Sequence, residues 1–223
     1  MYPNLEPIGS IIPATESQTR ELSKAPAEQQ AEVWQQAQDE TGKEQPTAQE
    51  IKEIVSTGSL HVSQGNNDWY TPSIYIESAR TVMGNIDVDP ASSDIAQETV
   101  QAKQHYTIDN CGLDKDWLGN VWLNPPYSHP EVENFTSKAV AEFTSGNCTS
   151  AIVLTNNATD TKWFHELLNS CNAVCITAGR ISFIDSTGEQ KLAARQGQFF
   201  FYFGEDENKF SLEFTQYGKV LFV

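Results

Sequence analysis

Basic side chains are scarce in this 223-residue sequence: 14 Lys and Arg face 30 Asp and Glu, for a formal net charge of −16 and a pI near 4.5. Proteins that bind nucleic acid by neutralising phosphates carry a basic footprint. The composition therefore argues against tight, non-specific duplex binding and leaves room for a local basic strip. Residues 1–66 hold ten acidic and four basic groups, so most of the imbalance belongs to the remainder of the chain. Long apolar runs are also missing. None approaches the ~18 residues that a membrane-spanning helix needs. The opening Met1-Tyr2-Pro3-Asn4-Leu5-Glu6 has neither the basic start nor the apolar stretch of a secretory signal, so a cytoplasmic protein without membrane contact is expected. The four cysteines, Cys111, Cys148, Cys171 and Cys175, form no C-x-x-C pair, which predicts reduced, mostly buried thiols. His61, His105, His129 and His165 do not fall at metal-ligand spacing, and no metal is assigned. A Gly-x-Gly turn, which lets backbone approach a nucleotide cofactor after a first strand, is absent too.

What is present is a globular composition, 39% hydrophobic with five Trp, eleven Phe and seven Tyr. The length suits one sizeable core with an appendage: an arm over residues 1–66 and a main domain over 67–223. Residues 1 to about 21 show no apolar period and read as flexible. A helix pair is expected within about 26–55. The first helix covers about Ala27 to Glu40, with Pro26 in its first turn and Gly42 beyond its end. The second covers Thr47 to Val55, with Thr47 and Glu50 spaced as a capping box. Residues 57–67 read as a linker.

In the main domain, Thr71-Pro72 reads as a helix start, threonine at the N-cap and proline at the first helical position, with Gly84 closing the helix. Ile86-Asp87-Val88-Asp89-Pro90 alternates and then stops at proline, as a strand ending at the carboxyl edge of a sheet does, and Ser92 or Ser93 can cap the next helix. A strand end followed by a turn and a helix N-terminus is the usual cofactor position in an open α/β sheet. A short strand is expected at Tyr106-Thr107, a helix from about Pro130 with Val132, Phe135, Ala139 and Phe143 on its apolar face, strands at Ala151–Thr155 and Ala173–Thr177, and a helix at Lys162–Leu168 between them. The alternation predicts a parallel sheet. Gln198–Phe203 and Lys219–Val223 read as strands without an intervening helix, so the sheet is expected to finish antiparallel.

Val121-Trp122-Leu123-Asn124-Pro125-Pro126-Tyr127 is the stretch that carries chemistry. An apolar run that meets two prolines must leave the sheet, because neither proline has an N–H for the ladder. It leaves a side-chain amide at Asn124, a carbonyl at Pro125 that Pro126 cannot claim, and an aromatic face at Tyr127. A planar base with an exocyclic amine could give its hydrogens to the two acceptors and stack on the ring.

Asn124-Pro125-Pro126-Tyr127 resembles the (Asp/Asn/Ser)-Pro-Pro-(Tyr/Phe) signature of S-adenosylmethionine-dependent amino-methyltransferases. Its neighbours extend the likeness: Asp68 to Pro72, Asp87 to Ser93, Gly112-Leu113, Trp117-x-Gly119, Thr161 to Phe164, and Gly179-Arg180-Ile181-x-Phe183. In this order the chain, from about Asp68 onward, is similar to phage-type DNA N6-adenine methyltransferases. The resemblance implies a compact Rossmann-like α/β methyltransferase sheet, mostly parallel with an antiparallel end, in a bacterial host cell. It implies S-adenosyl-L-methionine as cofactor and duplex DNA with a flipped adenine as substrate. Asn124, Pro125, Pro126 and Tyr127 would form the catalytic motif. Tyr70, Thr71 and Pro72 would lie against the cofactor, although Thr71 could be a plain cap. Asp87 or Asp89, with Pro90 and Ala91, would supply either the first or the second cofactor motif; the 35 residues from Asp89 to Asn124 favour a compressed sheet. Asp116 would hold the cofactor's adenine, unless it lies in a surface turn, and Arg180 or Phe183 would border the target base, unless that segment is an ordinary turn into a core strand. Two other readings stay open: the same chemistry on RNA or protein glutamine, which suits the acidity, and a non-catalytic binding module, which suits the missing Gly-x-Gly.

Overall fold

In the computed structural model, which describes residues 13, 15–25, 30–56, 70–184 and 196–223, the first helix begins where the sequence reads as flexible. Helix α1 (Glu16–Leu22) starts at a reciprocal capping box: the Thr15 side chain accepts from the Gln18 N–H, and the Gln18 side chain accepts from the Thr15 N–H at 2.8 Å. Such a box satisfies two otherwise orphaned donors. A glutamine then fills a core position: Gln18 is buried, donating to the Pro46 carbonyl at 2.7 Å. That use of a polar residue is why apolar periodicity missed the helix. Helices α2 (Gln30–Thr41) and α3 (Ala48–Ser56) follow. Thr47 and Glu50 make the expected capping box on α3, the Thr47 N–H donating to the Glu50 carboxylate at 2.6 Å. Leu22, Ala25, Val33, Trp34, Ala37, Ile51 and Ile54 bury together as the core of this part. The expected helix start at Pro26 and Ala27, and the linker, lie outside the described residues. The chain divides into two compact units, residues 1–67 and 68–223.

The second unit is built on a seven-stranded sheet: β1 (Val88–Asp89), β2 (Gln104–His105), β3 (Gly119–Leu123), β4 (Cys148–Asn156), β5 (Ala173–Thr177), β6 (Gln198–Phe203) and β7 (Gly218–Phe222), in the order β2-β1-β3-β4-β6-β5-β7. The pairings at the β2 end, up to β3 with β4, are parallel; the remaining three are antiparallel. The sheet is therefore parallel through one half rather than through most of its width, because β6 inserts between β4 and β5. Period-two alternation sorts the side chains. Val121, Leu123, Val153, Phe201 and Phe203 pack on one face with Val132, Phe135 and Ala139 of α6 (Glu131–Ser145) and Trp163, Phe164 and Leu167 of α7 (Lys162–Ser170). Trp122, Ile152, Leu154, Phe200 and Tyr202 pack on the other with Ile76, Ala79 and Val82 of α4 (Ser73–Met83), Val100 of α5 (Asp94–Val100), and Phe210 and Phe214 of α8 (Glu207–Phe214).

Helix α8 corrects the expectation that nothing helical separates the last two strands. Asp206 caps it by accepting from the Lys209 N–H at 3.0 Å, and Phe210 and Phe214, one turn apart, stack at 4.4 Å. Only these two large apolar residues are buried while Leu212 is 84% exposed, so the helical signal is short and acidic. Strand β2 lies two residues ahead of the expected Tyr106-Thr107. Gly179 to Phe183 forms no strand; it runs as loop into an isolated bridge between Ile184 and Tyr70.

Candidate active site

Strands β1, β3 and β4 run parallel, so their carboxyl ends open on one edge. Asp89 stands at the end of β1, Asn124 just beyond β3, and Asn156 at the end of β4. The prolines do what their chemistry dictates: pairing of β3 with β4 stops at Leu123, and the chain leaves the sheet at Asn124.

The Asn124 amide is fixed from both sides. The Tyr127 hydroxyl donates to its Oδ1 at 2.8 Å, and its Nδ2 donates to Thr71 Oγ1 at 3.3 Å. An amide oxygen has two lone pairs, so one stays available. Pro125 is buried, and no described N–H or hydroxyl donates to its carbonyl. Two successive residues past the end of β3 thus each keep an acceptor that no described group fully occupies. Burial pushes the Tyr127 phenol above its ordinary range, so it stays protonated and keeps its donor role. Pro126 is exposed.

Thr71 corrects the plain-cap alternative. Pro72, not Thr71, occupies the N-cap of α4, no side chain caps the helix, and the buried Thr71 hydroxyl is spent on Asn124. Tyr70 and Ile184 exchange backbone hydrogen bonds of 2.9 Å in both directions. This bridge brings Tyr70-Thr71-Pro72 beside the Ile181–Phe183 segment, whose Ile181 N–H is held by Gln198 Oε1 at 2.8 Å. Phe183 is 2% exposed and packs in the core with Trp122, so it backs this region instead of lining an open pocket; Arg180 is exposed.

The two aspartates of the β1 strand have different surroundings. Asp87 lies at the opposite, amino end, where Lys103 Nζ (2.6 Å), Asn85 Nδ2 (2.7 Å) and the Asn120 N–H (2.9 Å) donate to it. Partial burial pushes its carboxyl up, but these donors and the Lys103 charge outweigh it and hold it below the usual range. Gly119, at φ +87°, fits against it: a Cβ there would meet Asp87 Oδ2 at 2.5 Å. Asp87 thus ties the starts of β1 and β3 together, at the end of these strands opposite to Asn124. Asp89, 3% exposed at the carboxyl edge, accepts from Gln97 Nε2 at 2.9 Å and from the Ala91 N–H at 3.4 Å. Burial raises its carboxyl to about 6, against the opposing pull of Ser92, Ala91, His105 and Gln97. Pro90 is buried and Ala91 partly so. The turn is braced from behind by Gly112, whose carbonyl accepts from Trp117 Nε1 at 2.8 Å. A Cβ on Gly112 would lie 2.1 Å from the Pro90 oxygen, so only glycine lets the two backbones meet. Asp116 is exposed and lies three residues before β3.

Two residues at this edge carry no sequence signal. Gln97 reaches back from α5 to Asp89, and Asn156 holds its Oδ1 buried without a hydrogen-bond partner. Buried polar atoms are nearly always paired, which sets the Asn156 oxygen apart from the other polar groups of β4. Cys148, Cys171 and Cys175 are buried, burial raising their thiols to about 12, which removes them as nucleophiles. Among the described residues no cluster of His, Cys, Asp or Glu could hold a metal, and no helix is long and apolar enough to cross a membrane.

The family model described as DNA N-6-adenine-methyltransferase (Dam) matches residues 58–216, which takes in both the Asp89 turn and the Asn124–Tyr127 motif. A DNA N-6-adenine-methyltransferase of Escherichia phage T1 is 28% identical over 181 residues, covering 80% of this chain and 71% of the phage protein. With a mixed α/β sheet, parallel at the end where the two acceptors open, and a family match across most of its length, the chain belongs to the Dam family of DNA N-6-adenine methyltransferases.

Proposed function

We propose that this enzyme transfers the methyl group of S-adenosylmethionine to N6 of an adenine at a specific DNA site, with the base turned out of the duplex into a pocket at Asn124-Pro125-Pro126-Tyr127. The observation that carries the reading is the pair of spare acceptors, the second lone pair of Asn124 Oδ1 and the unclaimed Pro125 carbonyl. An exocyclic amine is a poor nucleophile because its lone pair is delocalised into the ring. Giving its two hydrogens to these acceptors draws the nitrogen toward tetrahedral geometry and stabilises the positive charge that grows on it. Inside a duplex the amine cannot be presented this way, which is why the base must leave the stack. The Tyr127 ring offers the stacking face while its hydroxyl keeps the Asn124 oxygen turned toward the base.

The β1 edge fits the cofactor. Asp89 is a buried carboxylate with lone pairs left over after Gln97 and Ala91, and its raised proton affinity is that of an anion waiting for a cation or a hydroxyl. It suits the methionine ammonium or the ribose hydroxyls. Tyr70, Thr71 and Pro72 would border the same cofactor through their position next to Asn124. Bound there, S-adenosylmethionine would supply an electrophilic methyl on a sulfonium: the carbon–sulfur bond would break with its electron pair left on a neutral thioether, while N6 gains the methyl and gives one proton to solvent. Incubating the protein with methyl-labelled S-adenosylmethionine and unmethylated DNA, RNA or protein, then mapping the modified base, tests the reading. Label in DNA at adenine N6 within one short sequence is expected; label in RNA or protein alone would overturn it.

Two predictions arise here. Tyr127→Phe keeps the ring but frees the Asn124 amide, so turnover should fall about 2- to 10-fold, the scale of one net hydrogen bond, with DNA affinity retained. Tyr127→Ala should also weaken DNA binding, by the ~1 to 3 kcal/mol of base stacking. Equal damage from both variants in a kcat and Kd comparison would dismiss the stacking role. Because residues 68–223 hold their own sheet and core, deletion of residues 1–66 should leave a cooperatively melting, cofactor-binding fragment; an insoluble fragment would assign the arm to the catalytic core.

A further inference from the structure

The Asp89 carboxylate does not set its own direction. Gln97, on the face of α5 turned to the sheet, donates from Nε2 to Asp89 Oδ2 at 2.9 Å and to Ser92 Oγ at 2.7 Å. Its Oε1 accepts from the Ala102 N–H at 2.9 Å, just past the end of α5. That third bond removes the freedom of the amide: with a backbone N–H on the oxygen, only the nitrogen can face the carboxylate. Gln101, in the left-handed region at φ 47°, turns the chain so that the Ala102 N–H points back at the side chain. One glutamine therefore ties the strand end, the Ser92 turn and the far end of the helix to a single orientation of Asp89.

We infer that Gln97 is a positioning residue for cofactor binding: it holds the Asp89 carboxylate in one orientation, so that the oxygen lone pairs it leaves free face the cationic or hydroxyl-bearing part of S-adenosylmethionine. This rests on the proposed cofactor contact of Asp89. The surroundings give it weight. The groups facing Asp89 are Ala91 N–H and Ser92 from the turn, Gln97 from α5 and His105 from β2, and His105 also lies 3.5 Å from Asp94. Among these, Gln97 makes the shortest described hydrogen bond to the carboxylate. A donor aimed at the ionised form favours that form, so Ser92, Ala91, His105 and, to a smaller extent, Gln97 work against the burial that drives Asp89 toward protonation. Without it, Asp89 should hold its proton to higher pH and bind the cofactor less well at neutrality.

The test compares binding of S-adenosylmethionine, by calorimetry from pH 5 to 8.5, to the wild-type chain, Gln97→Met, Asp89→Asn and the double variant. Gln97→Met is close in volume and has no amide. Its affinity at pH 7 should be about tenfold weaker, the scale of one hydrogen bond to a charged group, and the pH at which affinity falls off should move up. In the Asp89→Asn background, Gln97→Met should cost nothing further, because the group it orients has gone. A wild-type chain that binds no S-adenosylmethionine overturns the proposed function itself. A wild-type chain that binds, beside a Gln97→Met chain with the same affinity and pH midpoint, or with an equal loss in both backgrounds, overturns this inference alone. A Gln97→Met chain that no longer melts cooperatively does so too, since it would assign the residue to the fold.

Discussion

Replacing Asn124 by alanine should lower the rate of methyl transfer at least ~100-fold while cofactor affinity and melting temperature stay near wild type. The size follows from what the side chain would do in the proposed mechanism. A hydrogen bond that tightens as charge develops on N6 stabilises the transition state more than the bound substrate, so its loss falls on kcat. The small effect on folding follows from its partners. Tyr127 and Thr71 are held by neighbouring chain, and the Asn124 bonds are only partly buried. Single-turnover transfer rates, measured with saturating DNA and S-adenosylmethionine beside a thermal melt, decide the matter. An unaltered rate means that the spare lone pair is not used on the amine. Thr71→Val offers a graded check, because it leaves the Asn124 oxygen in place but removes the anchor of its nitrogen. Its turnover should lie between wild type and Asn124→Ala.

The parts of this site that could be read from sequence are those in which a residue's own chemistry dictates the backbone. Two prolines after an apolar run can only end a strand, so the exit at Asn124 and the free Pro125 carbonyl were legible before any coordinates. The same holds for the Thr47 and Glu50 box, for Gly84 past α4, and for the strand that ends at Pro90. Family likeness, rather than physical pattern, pointed to a methyltransferase. What stayed hidden were contacts between residues far apart in the chain. Thr71 precedes Pro72 as an N-cap would, yet 53 residues separate it from the Asn124 amide that donates to its hydroxyl oxygen. Asp87 and Asp89 are indistinguishable in a five-residue strand pattern; only the Lys103, Asn85 and Asn120 donors at one end and the Gln97 and Ala91 donors at the other tell the structural tie from the candidate ligand. The insertion of β6 between β4 and β5 was likewise beyond periodicity, which sorts side chains by face but says nothing of strand order. Helix α1 was missed because glutamine took a position where the pattern looks for an apolar residue.

Removing the Asp89 carboxylate should weaken S-adenosylmethionine binding by ~1 to 3 kcal/mol, the range for losing hydrogen bonds to a charged group, whereas Asp87→Ala should leave cofactor affinity intact and lower stability instead. The pH dependence separates the two roles further. The Asp89 carboxyl is raised by burial to about 6 in the folded chain, against roughly 3.9 for an aspartate in an unfolded one. Between these values the folded state holds a proton that the unfolded state has lost, so this group's contribution to stability is fully present below the unfolded value and is lost as pH rises through about 6. The size is on the order of 1 to 3 kcal/mol. Asp87, held below the usual range by its donors, has the opposite sign: its contribution is present above the unfolded value and fades as pH falls through the depressed one. Relative to wild type, Asp89→Asn should therefore gain stability as pH rises from 4 to 7 in urea melts taken without cofactor. Bound cofactor should reverse the trend for the wild-type chain, because a cation or hydroxyl placed on Asp89 favours the ionised carboxylate, so wild-type affinity should climb from pH 5 to 7 while that of Asp89→Asn stays low and flat. Equal cofactor affinity in wild type, Asp89→Ala and Asp89→Asn would show that the carboxylate serves the turn alone and that the cofactor is held elsewhere on the sheet edge.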